Sequence, residues 1–135
     1  MAKAISKIEG IGPKIGATLK EAGCGTVEAL LEAACSKKGR SELSKKTNIS
    51  ESVLLKYANM ADLFRIKGVA SQYAELLEGA GVDTVKELKH RNAANLTEKM
   101  NEVNAEKNLV RKTPSEKVVS TWVEQAKTLP AKITH

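Results

Sequence analysis

Aromatic residues make up only 3% of this 135-residue sequence. Proteins that recognise single-stranded nucleic acid usually stack several bases on aromatic side chains, so the scarcity argues against that function. Each aromatic residue also falls on an apolar stripe with helical spacing, which predicts that its side chain packs in a core. The four residues are Tyr57, Phe64, Tyr73 and Trp122.

Cysteine and histidine are also rare, with two residues of each. They form no cluster that would bind zinc, and we interpret Cys24 and Cys35 as small buried thiols of a reducing compartment, with a disulfide as the alternative. His90 and His135 are interpreted as surface side chains. Because no Ser, Cys or carboxylate pair has a spacing suited to nucleophilic or acid–base chemistry, we expect neither an enzyme nor a cofactor.

Long apolar runs and strand-like alternation are absent as well. No run is long enough to span a membrane and no charged, apolar leader opens the chain, so we expect a cytoplasmic protein. Without period-two alternation, the fold class is predicted to be all-α. A chain of this length makes one or two small domains and leaves no room for a large catalytic core.

Basic residues outnumber acidic ones, with 22 Lys and Arg against 16 Asp and Glu, a net charge of +6 and a pI near 9.3. This balance favours an acidic partner, of which nucleic acid is the commonest. The acidic residues are interleaved with the basic ones, however, and they dilute any continuous positive field.

The most specific pattern is a glycine hairpin that feeds a helix near the start of the chain. Gly10 and Gly12 flank Ile11, so the backbone is predicted to take positive φ on either side of one buried apolar plug. Pro13 suits the first turn of a helix. The N–H groups at this helix start are expected to point outward at the hairpin, where the helix dipole favours an anion and Lys14 adds a cation.

Gly10-Ile11-Gly12, preceded by Ile8, resembles the helix-hairpin-helix motif, whose hairpin amides bind a nucleic-acid phosphate. The following residues 21 to 30 resemble the small N-terminal domain of archaeal and eukaryotic strand-exchange recombinases. They are also similar to the tandem C-terminal repeats of some bacterial transcription elongation factors. As a whole, the chain most resembles a family of small bacterial proteins known only as a domain of unknown function, which implies a fold but no activity.

A shift of 58 residues along the chain reveals an internal repeat. Eight residue pairs are then identical, and the segment 50–53 recurs in part at 115–118, a shift of 65. We infer a duplication with seven additional residues between positions 89 and 114, and we divide the chain into repeats 1–64 and 65–135. The eight pairs are Ile8/Ile66, Gly10/Gly68, Leu19/Leu77, Ala22/Ala80, Gly23/Gly81, Thr26/Thr84, Val27/Val85 and Leu30/Leu88.

Each repeat is predicted to hold about five short helices. Asn48 lies in the turn at 47 to 50, where a second hairpin would lie in a paired helix-hairpin-helix domain, and Asn tolerates left-handed geometry. An alternative interpretation of residues 41 to 64 is a helix-turn-helix whose second helix reads bases, with Asn59 on its solvent side. Helices are also predicted to begin at Ser36 or Lys37 and at Ser115. The predicted N-caps are Thr26, Ser50, Ser71, Thr84 and Asn92.

The second hairpin departs from the motif. Ala70 stands where Gly12 stands in the first, and Ser71 replaces the proline, so we expect this turn to keep its fold while its phosphate binding is left open. Residues 106 to 114 form a basic connector that contains Arg111 and Lys112. The tail after Pro130 is predicted to fray.

Together with these patterns, the resemblance to the helix-hairpin-helix motif implies two tandem, SAM-like helix-hairpin-helix repeats. They are expected to hold double-stranded DNA by its phosphates with little sequence preference. Structured RNA is an open alternative partner, and a protein-interaction adaptor is the alternative function. If the chain binds no phosphate, the glycines only allow two helices to pack closely and the lysines only form a solvent-exposed helix face. The predicted nucleic-acid-binding residues are Gly10, Ile11, Gly12, Lys14, Lys37, Lys38, Arg40, Gly68, Val69 and Ala70, with Lys45 and Lys46 extending the basic run.

Overall fold

The computed structural model describes residues 3–135, and over this range the chain is all-helical, as predicted. Within that range the one strand-type pairing is an isolated antiparallel bridge between Ala4 and Thr26. A 3₁₀ helix, Ile5–Lys7, precedes eight α-helices. These are α1 (Pro13–Glu21), α2 (Val27–Ala34), α3 (Lys37–Thr47), α4 (Glu51–Leu63), α5 (Ser71–Gly79), α6 (Val85–Leu88), α7 (Ala93–Lys107) and α8 (Glu116–Thr128).

The chain divides into two compact units. The first contains the residues up to Asp62 together with Lys132–His135, and the second contains Leu63–Ala131. Each unit has its own core, and identical residues of the 58-residue repeat occupy both cores. They include the fully buried Ile8, Leu19 and Leu30 in the first unit and Ile66, Leu77 and Leu88 in the second.

Six helices follow a Ser, Thr or Asn whose side-chain oxygen accepts a hydrogen bond from the N–H three residues later, at 3.0 to 3.3 Å. The first N–H groups of a helix lack an intrahelical acceptor, so such a bond stabilises the fold by about 1 kcal/mol. Ser71 is the exception among the predicted caps. Ala70 takes the N-cap position of α5, and that cap residue makes no side-chain hydrogen bond.

The backbone also repeats at the shift of 58 residues. Gly10 and Gly68 have nearly equal φ angles of 93° and 94°. In each turn the residue after the glycine donates its N–H to the carbonyl of the isoleucine two residues before the glycine, at 3.2 and 3.3 Å. The two turns therefore share one conformation, although their sequences differ at the following positions.

The seven additional residues of the second repeat lie in two places, with two of them between Thr84 and Asn108 and five in the connector after Asn108. Helix α7 has 15 residues where α3 has 11, and α6 has four where α2 has eight. Asn48 and Asn108 end α3 and α7 in the left-handed conformation, at φ of 61° and 52°. Ser50 begins α4 two residues after Asn48, whereas Ser115 begins α8 seven residues after Asn108. The connector from 108 to 115 is therefore five residues longer than its counterpart.

Helix α4 has little surface with which to read bases. Leu54, Tyr57 and Met60 are buried, together with most of the last two turns. Asn59 is half-buried, and its Oδ1 atom is buried without a hydrogen-bond partner among the described residues. The structure thus disfavours the alternative that α4 is the recognition helix of a helix-turn-helix.

The tail after Pro130 does not fray. The Thr134 N–H donates to the carbonyl of Cys35 at 2.8 Å, and Ile133 is 9% exposed. The Lys132 ammonium pairs with the carboxylate of Glu32. The prediction of a frayed tail is wrong because these partners lie about 100 positions earlier, beyond the reach of any local pattern.

Candidate nucleic-acid interface

The first glycine turn is built around Ile11. Its side chain is buried, and its N–H donates to the Ile8 carbonyl at 3.2 Å. Gly10 has the predicted positive φ, but Gly12 lies at φ −87° and ψ −176°, an extended conformation open to any residue. Two sequence predictions are therefore corrected: one glycine, not two, has positive φ, and the Ile11 amide is already occupied.

Tyr57 on α4 lies against this turn. Its hydroxyl donates to the Gly10 carbonyl at 3.4 Å, and burial raises the pKa of that hydroxyl, which keeps the proton that makes the bond. The sequence predicts only core packing for Tyr57. Tyr57 corresponds to Trp122 at the shift of 65 residues, and Trp122 also lies against a turn glycine, Gly68. The internal repeat therefore indicated that the aromatic residue at this position contacts the glycine turn of its own repeat.

Helix α1 begins at this turn with an open N-terminus. Gly12 is its N-cap residue and has no side chain to accept a hydrogen bond, and the first helical bond runs from the Gly16 N–H to the Gly12 carbonyl at 2.8 Å. Within residues 3–135, no hydrogen bond is made by the N–H of Gly12. Lys14 is exposed and forms no ion pair with any described residue. This helix end therefore presents amides and one cation to the solvent.

Arg40 does not belong to this surface. It is 3% exposed, and its guanidinium donates to the Ala34 carbonyl at 3.0 Å and to the Thr134 carbonyl at 2.6 Å. Arg has five donors in a fixed planar fork, which suits two carbonyl acceptors from separate segments. The prediction that Arg40 contacts phosphate is wrong, because it holds α2 and the tail together inside the first unit.

The remaining lysines of the basic run are exposed at the two ends of α3. Lys37 and Lys38 lie in its first turn and Lys45 and Lys46 in its last. At 1.5 Å per residue, the two pairs are about 12 Å apart along the helix. Burial raises the pKa of the Cys24 thiol, and the Lys46 charge acts in the opposite direction. The run therefore forms two small patches.

The second turn is held from α8. Gln125 accepts a hydrogen bond from the Lys67 N–H at 2.9 Å and donates to the Lys67 carbonyl at 3.3 Å. A Cβ atom on Gly68 would lie 3.1 Å from Nε1 of Trp122. Val69 is buried and Ala70 is exposed. Because Met60 stands at the position of Gln125 in the first unit, this side-chain brace is specific to the second turn.

The two glycines of the first turn are expected to respond differently to alanine. Gly10→Ala forces a side chain into positive φ and should lower the free energy of unfolding by about 1 to 2 kcal/mol. Gly12→Ala should leave it unchanged within about 0.5 kcal/mol, since no atom lies within 4 Å of the added Cβ. Urea unfolding followed by far-UV circular dichroism measures both. Equal effects would contradict the turn geometry described above.

Comparisons with known proteins give one match. A family model described as a domain of unknown function (DUF4332) matches residues 9–129, nearly the whole chain. No curated protein and no solved structure matches. Within residues 3–135, no helix is long and apolar enough to cross a membrane, and no group of three or more His, Cys, Asp or Glu side chains could hold a metal ion. Both cysteines are free thiols.

Proposed function

The chain belongs to the DUF4332 family, and we propose that it is a non-enzymatic protein that holds double-stranded DNA by its phosphate backbone through the first glycine turn. Such contacts position a protein on a duplex without reading bases, so the binding has little sequence preference. We further propose that the two repeats are tandem helix-hairpin-helix modules. The matching φ angles and hydrogen bonds of the two glycine turns support this interpretation.

The single observation that carries the proposal is the uncapped start of α1. Six other helices satisfy an N-terminal amide with a Ser, Thr or Asn side chain, whereas α1 and α5 have Gly12 and Ala70 there. Of these two, only α1 has an N-cap without a Cβ and a lysine, Lys14, in its first turn. The N–H of Gly12 and those of the first helical turn are left to an external acceptor. Because the helix dipole is positive at this end, the best acceptor is an anion such as a phosphate oxygen.

The donor set differs from the one that the sequence suggested. Ile11 contributes its side chain to the core, and its amide is used within the turn, so it does not bind phosphate. Gly12 and Lys14 supply the amide and the cation, and the missing Cβ of Gly12 lets a phosphate approach the backbone closely. The first unit also carries 11 Lys and Arg against seven Asp and Glu, compared with 11 and nine in the second. The positive balance is thus greater in the unit that contains the open turn.

The test is fluorescence anisotropy of the full chain with a labelled DNA duplex across a range of salt concentrations. We expect salt-sensitive binding. Lys14→Glu should weaken it about tenfold at low salt and reduce the slope of log affinity against log salt by about 1. Gly12→Ala should weaken binding without loss of stability, because its Cβ occupies the approach to the amides.

Lys20→Glu is the matched control, since Lys20 is exposed on the same helix about 9 Å further along the axis and its replacement changes the charge equally. Its effect on affinity should be much smaller than that of Lys14→Glu. Equal losses for the two variants would assign the binding to net charge alone. No binding to the duplex at low salt would refute the proposed function.

A protein-interaction adaptor is the second candidate, and one observation favours it. Val53 and Val118 are the exposed large hydrophobic residues of the described chain, at 37% and 40%, and they are equivalent positions of the two repeats. Each unit thus has an exposed valine at the same repeat position, which would give it an apolar contact point for a protein partner. Such binding would tolerate salt, whereas phosphate binding falls steeply with it.

A further inference from the structure

The longer connector of the second unit, residues 108 to 114, is not needed to build the repeat, because the first unit makes the same connection with two residues. It is nonetheless held in one shape. The side chain of Asn104 donates to the Val110 carbonyl at 3.0 Å and accepts from the Val110 N–H at 2.9 Å. Val110 and Pro114 are buried, and Asn108 takes the left-handed conformation. An ordered insertion that the fold does not require suggests a function of its own.

The connector forms one wall of a groove in the second unit. A cavity of about 440 Å³ lies between the connector and the start of α5, beside Gln72 and Tyr73. A second cavity of about 240 Å³ shares Tyr73 and Lys112 and extends to Gly68 and Trp122. Together they have the size of a site for a small organic ligand.

The ring of Tyr73 faces this groove and rests on Trp122, which is 1% exposed and lies beneath it. Tyr73 is half-buried, and its ring centroid lies 5.6 Å from that of Trp122 with the planes inclined at 53°. The Tyr73 hydroxyl donates to the Lys112 carbonyl at 3.5 Å, which ties the ring to the connector. Tyr73 therefore differs from the fully packed aromatic that its helical spacing predicts, because part of its ring faces the groove and not the core.

The rim of the groove is positively charged. Arg111 and Lys112 are both exposed, and neither forms an ion pair within the part of the chain that the structure describes. No Asp or Glu belongs to the residues that line the two cavities. A ligand that suits this surface has a planar, stackable group and a negative charge a short distance away.

We infer that this groove binds a single nucleotide, with its base on Tyr73 and its phosphate on Arg111 and Lys112. Stacking on one aromatic ring suits any base, and Arg and Lys neutralise the phosphate. The scarcity of aromatic residues does not oppose this, since one nucleotide needs one stacking surface. The site goes beyond the proposed function, because it lies in the second unit and takes an unpaired base and not a duplex backbone.

Trp122 makes the site measurable, since it is the single tryptophan of the chain and its ring packs against Tyr73 at the base of the groove. The full chain is titrated with thymidine monophosphate, with a short oligothymidylate, and with an abasic strand of equal charge. We expect a saturable change in tryptophan emission with the two base-bearing probes and at least tenfold weaker binding of the abasic strand. The monophosphate arm distinguishes a free nucleotide from one within a strand.

Tyr73→Ala should weaken binding of the oligothymidylate about tenfold, and Tyr73→Phe should keep it within about threefold, because the stacking ring remains. Should Tyr73→Ala disturb folding, Lys112→Glu provides the second test. Its matched control is Lys117→Glu, which changes an exposed lysine of the same unit outside the groove. Lys112→Glu should weaken binding about tenfold and Lys117→Glu much less.

Unchanged emission with all three probes, or equal affinity for the abasic strand and the oligothymidylate, would overturn the nucleotide site. The proposed duplex function is scored separately, by the anisotropy of Gly12 and Lys14 variants in the first unit. A chain that binds duplex but shows no response of Trp122 refutes the groove alone. A chain that binds oligothymidylate through Tyr73 but no duplex refutes the proposed function and supports the groove.

Discussion

Replacing Gly39 with alanine is expected to lower the free energy of unfolding by about 3 kcal/mol. Gly39 lies in the first turn of α3, and a Cβ atom there would lie 2.1 Å from the carbonyl oxygen of Ala33, far inside van der Waals contact. It would also lie 3.1 Å from Oγ of Ser36, which caps α3 by accepting the Gly39 N–H at 3.0 Å. The main chain of α2 or α3 must therefore move, because the Ala33 carbonyl belongs to the backbone and cannot rotate away as a side chain would.

Gly16→Ala is the matched control. Gly16 lies inside α1, where an added Cβ would make ordinary contacts of 3.7 and 3.8 Å with Ile11 and Ile5. Because alanine loses less backbone entropy on folding than glycine, this variant should be stabilised by about 0.5 to 1 kcal/mol. Far-UV circular dichroism in urea suits both, since the single tryptophan lies in the other unit. Changes of the same sign and size would contradict the close approach of α3 to Ala33.

Arg40→Ala is also expected to lower the free energy of unfolding by about 3 kcal/mol. The substitution removes the guanidinium donors from the Ala34 and Thr134 carbonyls, and a buried acceptor left without a donor costs about 1 to 3 kcal/mol. Arg40→Lys keeps the charge but not the planar fork, so it should recover only part of the loss. Urea unfolding measures all of these changes.

The Arg40 substitutions also distinguish a structural role of the buried guanidinium from a role in phosphate binding. Lys38→Ala is the control, an exposed neighbour in the same turn whose loss should change stability by less than about 0.5 kcal/mol. If Arg40 instead contacted phosphate, Arg40→Lys would largely keep duplex affinity and Arg40→Ala would weaken it without a change in stability. That result would place the guanidinium on the surface and contradict the interior contact with the tail.

Local sequence rules accounted for most of the secondary structure. A Thr or Asn followed by a helical stripe predicted the starts of α2, α6 and α7, because the cap bond joins residues only three positions apart. Asn48 was predicted to tolerate left-handed geometry and takes φ of 61°. The N-cap rule failed where the residue that it selects could also be the first residue of the helix. Ser71 was expected to cap α5, but it became the first helical residue, as its repeat partner Pro13 does in α1.

The candidate sites were predicted only in part. The position of the glycine turn and the exposure of Lys14 followed from the motif, since they depend on neighbouring residues. That Ile11 has no free amide did not follow, because its hydrogen bond depends on how tightly the turn closes. The roles of Tyr57, Trp122 and Gln125 beside the two turns depend on helices that pack back from about 50 residues later in the chain.

By itself, the sequence determined the all-helical class, the internal repeat and the glycine turns, since periodicity, caps and backbone conformation act over a few residues. Only the tertiary structure decided which charges stay on the surface. Arg40 resembles its lysine neighbours in the sequence, yet its partner Thr134 lies 94 positions away. The groove at Tyr73 was likewise hidden, because it forms only when the connector closes against α5 and α8. Burial depends on contacts between distant segments, which no local pattern encodes.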